Sequence, residues 1–571
     1  MKPLFQKEVQ IKSHFTYQNF LKKGYRLTPK LALKLREKDG SSKEAKGSTK
    51  KKIMRIFKNT RAIKRLDLTG LLVLKAKFWF SSFLCIAKKV SSTVSCLKMH
   101  DSRKRLENYQ ELVTSWPKYM KNIRSLSSVV FVEDARTKVA LKQQKKIRPM
   151  NHYLKYLQKL AMIEIECSYN ASSSDFSGIW KFEKYPASIK KIYFNQTRHG
   201  QEPINTSMTH LKNLKDLKFR FGNMYNNSVV TLKSVLSLIP QVPQLEALEI
   251  DFISYFEIDA SIRAALKSLT RLKKVRFSLH QEMNLLPILK SLEGSPLEDF
   301  ELSVDMYCDE RIPFLKDFLS RKKDLKNLSL QIIKGRLFES FEEVRDLLKT
   351  IDDLPQLSSL SFEAKSSLED ETVKANTLPE IDFPFEKLFS PLRSIPLKKF
   401  RISLNQHGLS ESGFMKLLAS LKGVSPNLEE LQIDVGGYKP KENTKTEVII
   451  EFIKSLKNIR CLKLDSLDIS QKQFFFELIE AIYGLKFLRD FSLGEFSEDV
   501  TSLSFIDGLR RILLKNGLEK FRCEMSEGLQ KMLVEKDCPR IDRDEIRKKN
   551  PSHEKGPFQK LFINYSDEAS W

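Results

Sequence analysis

The chain has 571 residues, 41% hydrophobic and 30% charged, a composition that excludes a disordered polymer and leaves room for several domains or one long repeat array. Its formal net charge of +28 suggests a nucleic-acid partner, but residues 1–150 hold 37 Lys and Arg against 10 Asp and Glu, leaving 62 of the 99 cations against 61 of the 71 anions for the rest. That balance argues against a long basic groove tracking a phosphate backbone along the remaining chain.

Residues 1–60 read as a basic, partly flexible arm or cap. Gly40, Ser41, Ser42, Gly47 and Ser48 mark a linker, and the cluster KKKIMRIFK follows it, with Lys50, Lys51, Lys52, Arg55 and Lys58. A second basic cluster holds Lys145, Lys146 and Arg148. Three functional readings compete with a solvated basic cap. They are an electrostatic arm for nucleic acid, an acidic surface or an anionic membrane, a nuclear-import patch, and an organelle transit segment. Residues 71–97 are apolar but interrupted by Lys75, Lys77, Lys88 and Lys89, with a longest uncharged run of ten residues, 78–87. A membrane span needs roughly 20, so no transmembrane helix is expected. The seven cysteines are scattered and none forms C-x-x-C. Free thiols in a reducing, intracellular and mainly cytoplasmic setting are expected, with no disulfide framework.

From residue 61 the chain repeats one phrase, φ-x-x-φ-x-φ with φ apolar. It starts at Ile63, Val94, Ile123, Leu160, Ile189, Leu214, Leu245, Leu272, Leu297, Leu325, Leu357, Leu397, Leu428, Ile459, Leu488 and Leu518. The mean step is about 30 residues, inside the window of solenoid repeats. Alternation within the phrase, as in Leu248-Glu249-Ile250-Asp251-Phe252, predicts a strand. Between phrases the spacing turns helical, in VVTLKSVLSLI, SIRAALKSL, FEEVRDLLKTI, GFMKLLASLKGV, EVIIEFIKSLK and QFFFELIEAIYGL. The unit is therefore strand, turn, helix, turn. No unit buries its own apolar face, so the units must stack into a parallel sheet with helices behind it. Helices are wider than strands, so the stack is expected to curve, strands inside.

Phrase and period together resemble the leucine-rich repeat, and the long helical returns resemble its ribonuclease-inhibitor-like subclass. The resemblance covers roughly residues 63–525 and implies an α/β solenoid, a leucine-rich-repeat horseshoe with a parallel sheet on the concave face and helices on the convex face. It implies about 16 repeats within residues 61–535, then a charged tail at 536–571. The family's turn asparagine, three residues after the last strand leucine, is replaced here by Gly222, Ile253 and His280 after Phe219, Ile250 and Phe277.

In such a stack the middle polar residues of the strands line up from Glu164 and Tyr193 onward. Lys218, Glu249, Arg276 and Glu301 alternate in sign, as do Arg220 and Asp251 one pleat further. Two readings stay open, a self-satisfied ladder of ion pairs and a charged recognition stripe. Ser329 and Ser361 form an uncharged middle, followed by Arg401. The 40-residue step from Leu357 to Leu397 contains an insertion, residues 364–394, with Glu369, Asp370 and Glu371 at its start, read as a projecting loop. In the tail, FQKLFINY is read as docking on the last repeat to cover its edge. No phosphate loop, dinucleotide fingerprint, zinc-protease or nucleophile-elbow motif occurs. The eight histidines show no metal-ligand spacing. No catalytic residue, metal or cofactor is expected. The resemblance implies a non-enzymatic scaffold or adaptor that binds a protein partner through the concave face or rim. The alternative is a nucleic-acid-associated or organelle-assembly component anchored by the first 150 residues.

Overall fold

The computed structural model describes residues 32–34, 65–67, 94–99, 121–130, 154, 156–167, 181–196, 206–221, 227–252, 258–279, 285–305, 311–333, 341–365, 385, 389–404, 411–435, 446–464, 467, 472–496, 518, 520–525 and 560–563. The basic clusters at 50–58 and 145–148, the core of the insertion (366–384) and the positions of the missing turn asparagines lie outside these residues.

Two compact units divide the chain, Met1–Pro296 and Leu297–Trp571. The first carries β1 (Ala32–Lys34), β2 (Arg65–Asp67), β3 (Cys96–Met99), β4 (Ser125–Val130), β5 (Met162–Cys167), β6 (Lys191–Gln196), β7 (Asp216–Phe221), β8 (Ala247–Phe252) and β9 (Lys274–Leu279). Its helices are α1 (Asn227–Leu238), α2 (Ala260–Lys267) and α3 (Leu286–Ser291). The second carries β10 (Asp299–Asp305), β11 (Asn327–Ile333), β12 (Ser359–Lys365), β13 (Lys399–Ser403), β14 (Glu430–Asp434), β15 (Cys461–Leu464), β16 (Asp490–Phe496), β17 (Lys520–Met525) and β18 (Lys560–Ile563). Its helices are α4 (Arg311–Ser320), α5 (Phe341–Asp352), α6 (Glu411–Lys422), α7 (Thr446–Ser455) and α8 (Lys472–Gly484).

Every one of the sixteen phrases opens a strand two residues after its first apolar position, the weakly patterned one at Ile123 included. Within the first unit each strand pairs parallel with the next, from β1 to β9. Within the second the same holds from β10 to β18. Pairing matches repeat positions, so Leu217 faces Leu248 and Phe219 faces Ile250. One register shift occurs, between Ser492 and Glu495 against β17; Gly494 falls inside it, a residue common where a strand bulges. β1 pairs with β2 in the first unit and β18 with β17 in the second, the latter within the FQKLFINY segment.

The turn asparagine is mostly missing from the sequence, and a backbone feature ties successive strand entries. The carbonyl one residue after the first apolar position accepts two amides from the next repeat. Lys190 O takes Lys215 N at 2.8 Å and Asp216 N at 3.0 Å, and Lys215 O takes Glu246 N and Ala247 N, both at 2.9 Å. The same double acceptance recurs at Glu298, Lys326, Ser358, Lys398, Glu429 and Arg460 in the second unit. It uses no side chain, so it tolerates any residue there but proline, which lacks the amide donated to the preceding repeat.

The apolar positions are the core. Leu214, Leu217 and Phe219 are fully buried, as are Leu245 and Leu272. Phe194 and Phe219 stack across β6 and β7 with centroids 5.6 Å apart. The helices close the other side through residues three and four apart: Ile262, Ala265 and Leu266 of α2, and Ile449, Ile450, Phe452 and Ile453 of α7, are buried. Asp259 caps α2, accepting from Ile262 N at 3.0 Å. The Ser261 hydroxyl first, then that backbone bond and Lys233, hold its carboxyl below the usual range. The insertion returns to the core through aromatics, with Phe385 stacked on Phe389 and Phe389 edge-on to Phe400 at 5.8 Å. Among the described residues no helix is long and apolar enough to cross a membrane.

Truncating Phe219, which is fully buried, removes a stacked ring from the spine of the first unit. Phe219→Ala is expected to cost about 3–5 kcal/mol, read as a lower denaturant midpoint for that unit. A shift below about 1 kcal/mol would contradict the packing described.

Candidate protein interface

Opposite the buried file, each strand presents its polar positions. In the first unit Glu164, Tyr193, Lys218, Glu249 and Arg276 are register partners in turn. In the second the file runs Glu301, Ser329, Ser361, Arg401, Gln432, Lys463, Ser492 and Arg522. Neighbours in a file sit about 4.8 Å apart along the sheet. The structure thus brings together Lys218, Arg220, Glu249, Asp251 and Arg276 in one unit, and Glu301, Ser329, Ser361 and Arg401 in the other.

In the first unit the charges satisfy one another. Glu249 lies between Lys218 at 2.6 Å and Arg276 at 3.4 Å, and Arg220 meets Asp251 at 3.1 Å. Two further rows lie nearer the strand starts, Lys191–Asp216 at 2.8 Å and Lys215–Glu246 at 2.6 Å. Sequence alternation pointed at the middle row; the rows beside it needed the same register count begun two or three residues earlier. Tyr193 was a neutral member of the file in sequence, yet its hydroxyl donates to Asp216 Oδ2 at 2.8 Å, which also takes Lys191. Burial first, then that bond, pushes the Tyr193 phenol up to about 12, and Asp216 raises Lys191. Each such pair at an exposed surface contributes under ~1 kcal/mol; their effect is to hold the face in one pattern.

The second unit differs. Lys399 pairs with Glu430 at 2.7 Å and Lys326 with Glu298 at 2.6 Å near the strand starts. In the middle file Arg401 is exposed and Lys463 half-buried, and among the described residues neither makes an ion pair. Ser303 donates to Gln331 across β10 and β11. Among the described residues no group of His, Cys, Asp or Glu could hold a metal ion. Neither Cys96 nor Cys461 is in a disulfide.

Two measurements probe the face. Glu249→Gln leaves Lys218 and Arg276 without their shared carboxylate and is expected to destabilise by no more than about 1 kcal/mol, the difference fading in 1 M salt where screening acts within ~3 Å. A cost above about 2 kcal/mol that persists in salt would contradict a solvated ladder. The raised Tyr193 phenol stays protonated through the range where an ordinary tyrosine titrates near 10. Any stability it contributes is therefore full below pH 10 and lost as pH rises through about 12. Tyr193→Phe is expected to leave the phenolate absorbance of the folded protein unchanged up to pH 11. Loss of a titration step near pH 10 would contradict the Asp216 contact.

No family profile matches the chain, and no curated protein matches it. Among solved structures it is similar to an internalin from Listeria monocytogenes, with 13% identity over 72% of this chain and 88% of that one and a TM-score of 0.30. It is also similar to the leucine-rich repeat-containing protein LegL7 from Legionella pneumophila, with 12% identity over 67% of this chain and 97% of that one and a TM-score of 0.30. The strand-by-strand ladder of the chain itself makes each unit an α/β solenoid of the leucine-rich-repeat type.

Proposed function

We propose that the chain is a non-enzymatic protein-interaction scaffold that binds a protein partner through the open polar face of its sheet. The supporting observation is that face itself, a file of in-register polar side chains on rigid strands with its apolar side fully committed to the core. A surface fixed in this way binds without paying for its own ordering. On this reading Lys218, Arg220, Glu249, Asp251 and Arg276 form a patterned stripe, and Glu301, Ser329, Ser361 and Arg401 a less charged one. The long helical returns support assignment to the ribonuclease-inhibitor-like subclass. The scattered thiols support an intracellular, cytoplasmic setting. The uneven charge of the first 150 residues supports a second reading, in which that region anchors the protein to nucleic acid, an acidic surface or an assembling organelle while the solenoid binds protein.

The test is site-specific photo-cross-linking in the cells that make the protein. With benzoylphenylalanine at Ser329, Ser361 or Glu249, a discrete protein adduct is expected, and none with the probe at Lys267 on α2. Adducts only from Lys267, or from no open-face position, would defeat the scaffold reading. Binding that collapses between 50 and 200 mM salt and disappears on deleting residues 1–60 would favour the basic anchor instead.

A further inference from the structure

A second surface lies at the strand-entry turns of the second unit, away from the middle file. A shallow pocket of about 410 Å³ opens there, lined among others by Lys398, Asn427, Glu429, Asn458, Arg460 and Phe487. Phe487 is 55% exposed, the most exposed large hydrophobic side chain among the described residues. Nothing in the repeat requires an aromatic there, because the equivalent positions one, two and three repeats earlier are Asn458, Asn427 and Pro396.

Repeat equivalence places like positions side by side. Lys457, Asn458 and Arg460 correspond to Lys486, Phe487 and Arg489, and Arg460 O accepts Arg489 N at 2.8 Å and Asp490 N at 3.0 Å. Two cations therefore flank the Asn458–Phe487 step on each side. Lys457 and Lys486 are exposed and, among the described residues, make no ion pair. The carboxylate in the pocket is already neutralised, since Glu429 sits between Arg460 at 3.4 Å and Lys398 at 3.9 Å. Asn458 donates its amide to Pro426 O at 2.9 Å, which fixes the side chain at the pocket wall.

An uncovered aromatic ring beside a shallow concavity, side-chain amides and a surplus of exposed cations match one class of ligand. Single-stranded nucleic acid is held by bases stacking on aromatic side chains while cations track the phosphates. We propose that this turn surface of the second unit binds single-stranded nucleic acid, with a base stacked on Phe487 and the adjoining phosphates at Lys457 and Lys486. The uncharged ring separates this from the electrostatic arm at the N-terminus, which needs only charge. It also separates it from the open sheet face, whose alternating signs disfavour a polyanion. The proposal stands independently of the scaffold reading.

The experiment titrates the full-length protein into fluorescein-labelled twelve-residue oligo(dT) and oligo(U), read by anisotropy across a salt series. Phe487→Ala is expected to weaken binding about tenfold at every salt concentration, in the range of one lost base stack, with the log–log salt slope unchanged. Phe487→Trp should restore it. Lys457→Glu with Lys486→Glu should instead flatten the slope by about 1.4, or 0.7 for each phosphate contact to a single strand. Binding to both oligonucleotides that is indifferent to Phe487 and to the two lysines would overturn the proposal. So would displacement of the oligonucleotide by an octaglutamate peptide with the same dependence on Phe487, which would make the ligand an acidic protein segment. Phe487 is largely exposed, so the alanine variant is expected to keep the wild-type circular dichroism and melting curve.

Discussion

The structure depends on one constraint, the in-register stacking of an apolar phrase that no single repeat can bury. Leu217 and Phe219 are buried between Ile192 and Phe194 of the preceding strand and Leu248 and Ile250 of the next. Side chains alternate across a strand, so a slip of one residue would turn every apolar position of that strand outward. The doubly accepting carbonyl at the strand entry backs this up from the main chain, since it holds the two amides of the next repeat at about the same place each time. Apolar burial selects the register, and the backbone pins it without asking anything of the side chain. That division leaves the polar positions unconstrained by folding, which is why they can carry different patterns in the two units.

The two faces of that freedom differ physically. In the first unit the polar positions are spent on one another, with Glu249 shared by Lys218 and Arg276 and Asp216 shared by Lys191 and Tyr193. A partner there must either read the fixed pattern as it stands or break ion pairs to bind. In the second unit Arg401 and Lys463 are not committed in this way, and the turn surface near Phe487 carries exposed cations beside an exposed ring. A partner that engages Arg401 or Lys463 breaks no ion pair among the described residues.

Much of this was legible in the sequence, for identifiable reasons. The phrase recurs at a nearly constant step, so all sixteen strands and their register could be counted from Ile63 to Leu518. The six quoted helical stretches coincide with α1, α2, α5, α6, α7 and α8. Two further helices among the described residues, α3 and α4, lie outside those stretches. In α3 only six residues are helical, and Pro287 stands in its first turn; in α4, RIPFLKDFLS carries Pro313 near its start. In both, the proline stands in the first turn, where the helix needs no donor from it. The end strands β1 and β18 are three and four residues long, too short for a two-residue alternation to stand out. The ladder's signs were visible in advance; which oxygens met which nitrogens, and that Tyr193 joins the row at Asp216, required coordinates. Repeat alignment shows Phe487 as the odd aromatic at a position held by Pro396, Asn427 and Asn458 in the three preceding repeats; that its ring is left exposed required coordinates.

The in-register ladder itself is tested most directly by paired cysteines. Matched neighbours in adjacent parallel strands stand about 4.8 Å apart, inside the Cα separation a disulfide accepts, roughly 4.4–6.8 Å. Under mild oxidation, Ser329→Cys with Ser361→Cys should cross-link, and so should Lys218→Cys with Glu249→Cys. Ser329→Cys with Glu363→Cys, offset by one pleat, should not. Efficient cross-linking of the offset pair, or none in the matched pairs, would contradict the register on which the core, the ladder and both proposed surfaces rest.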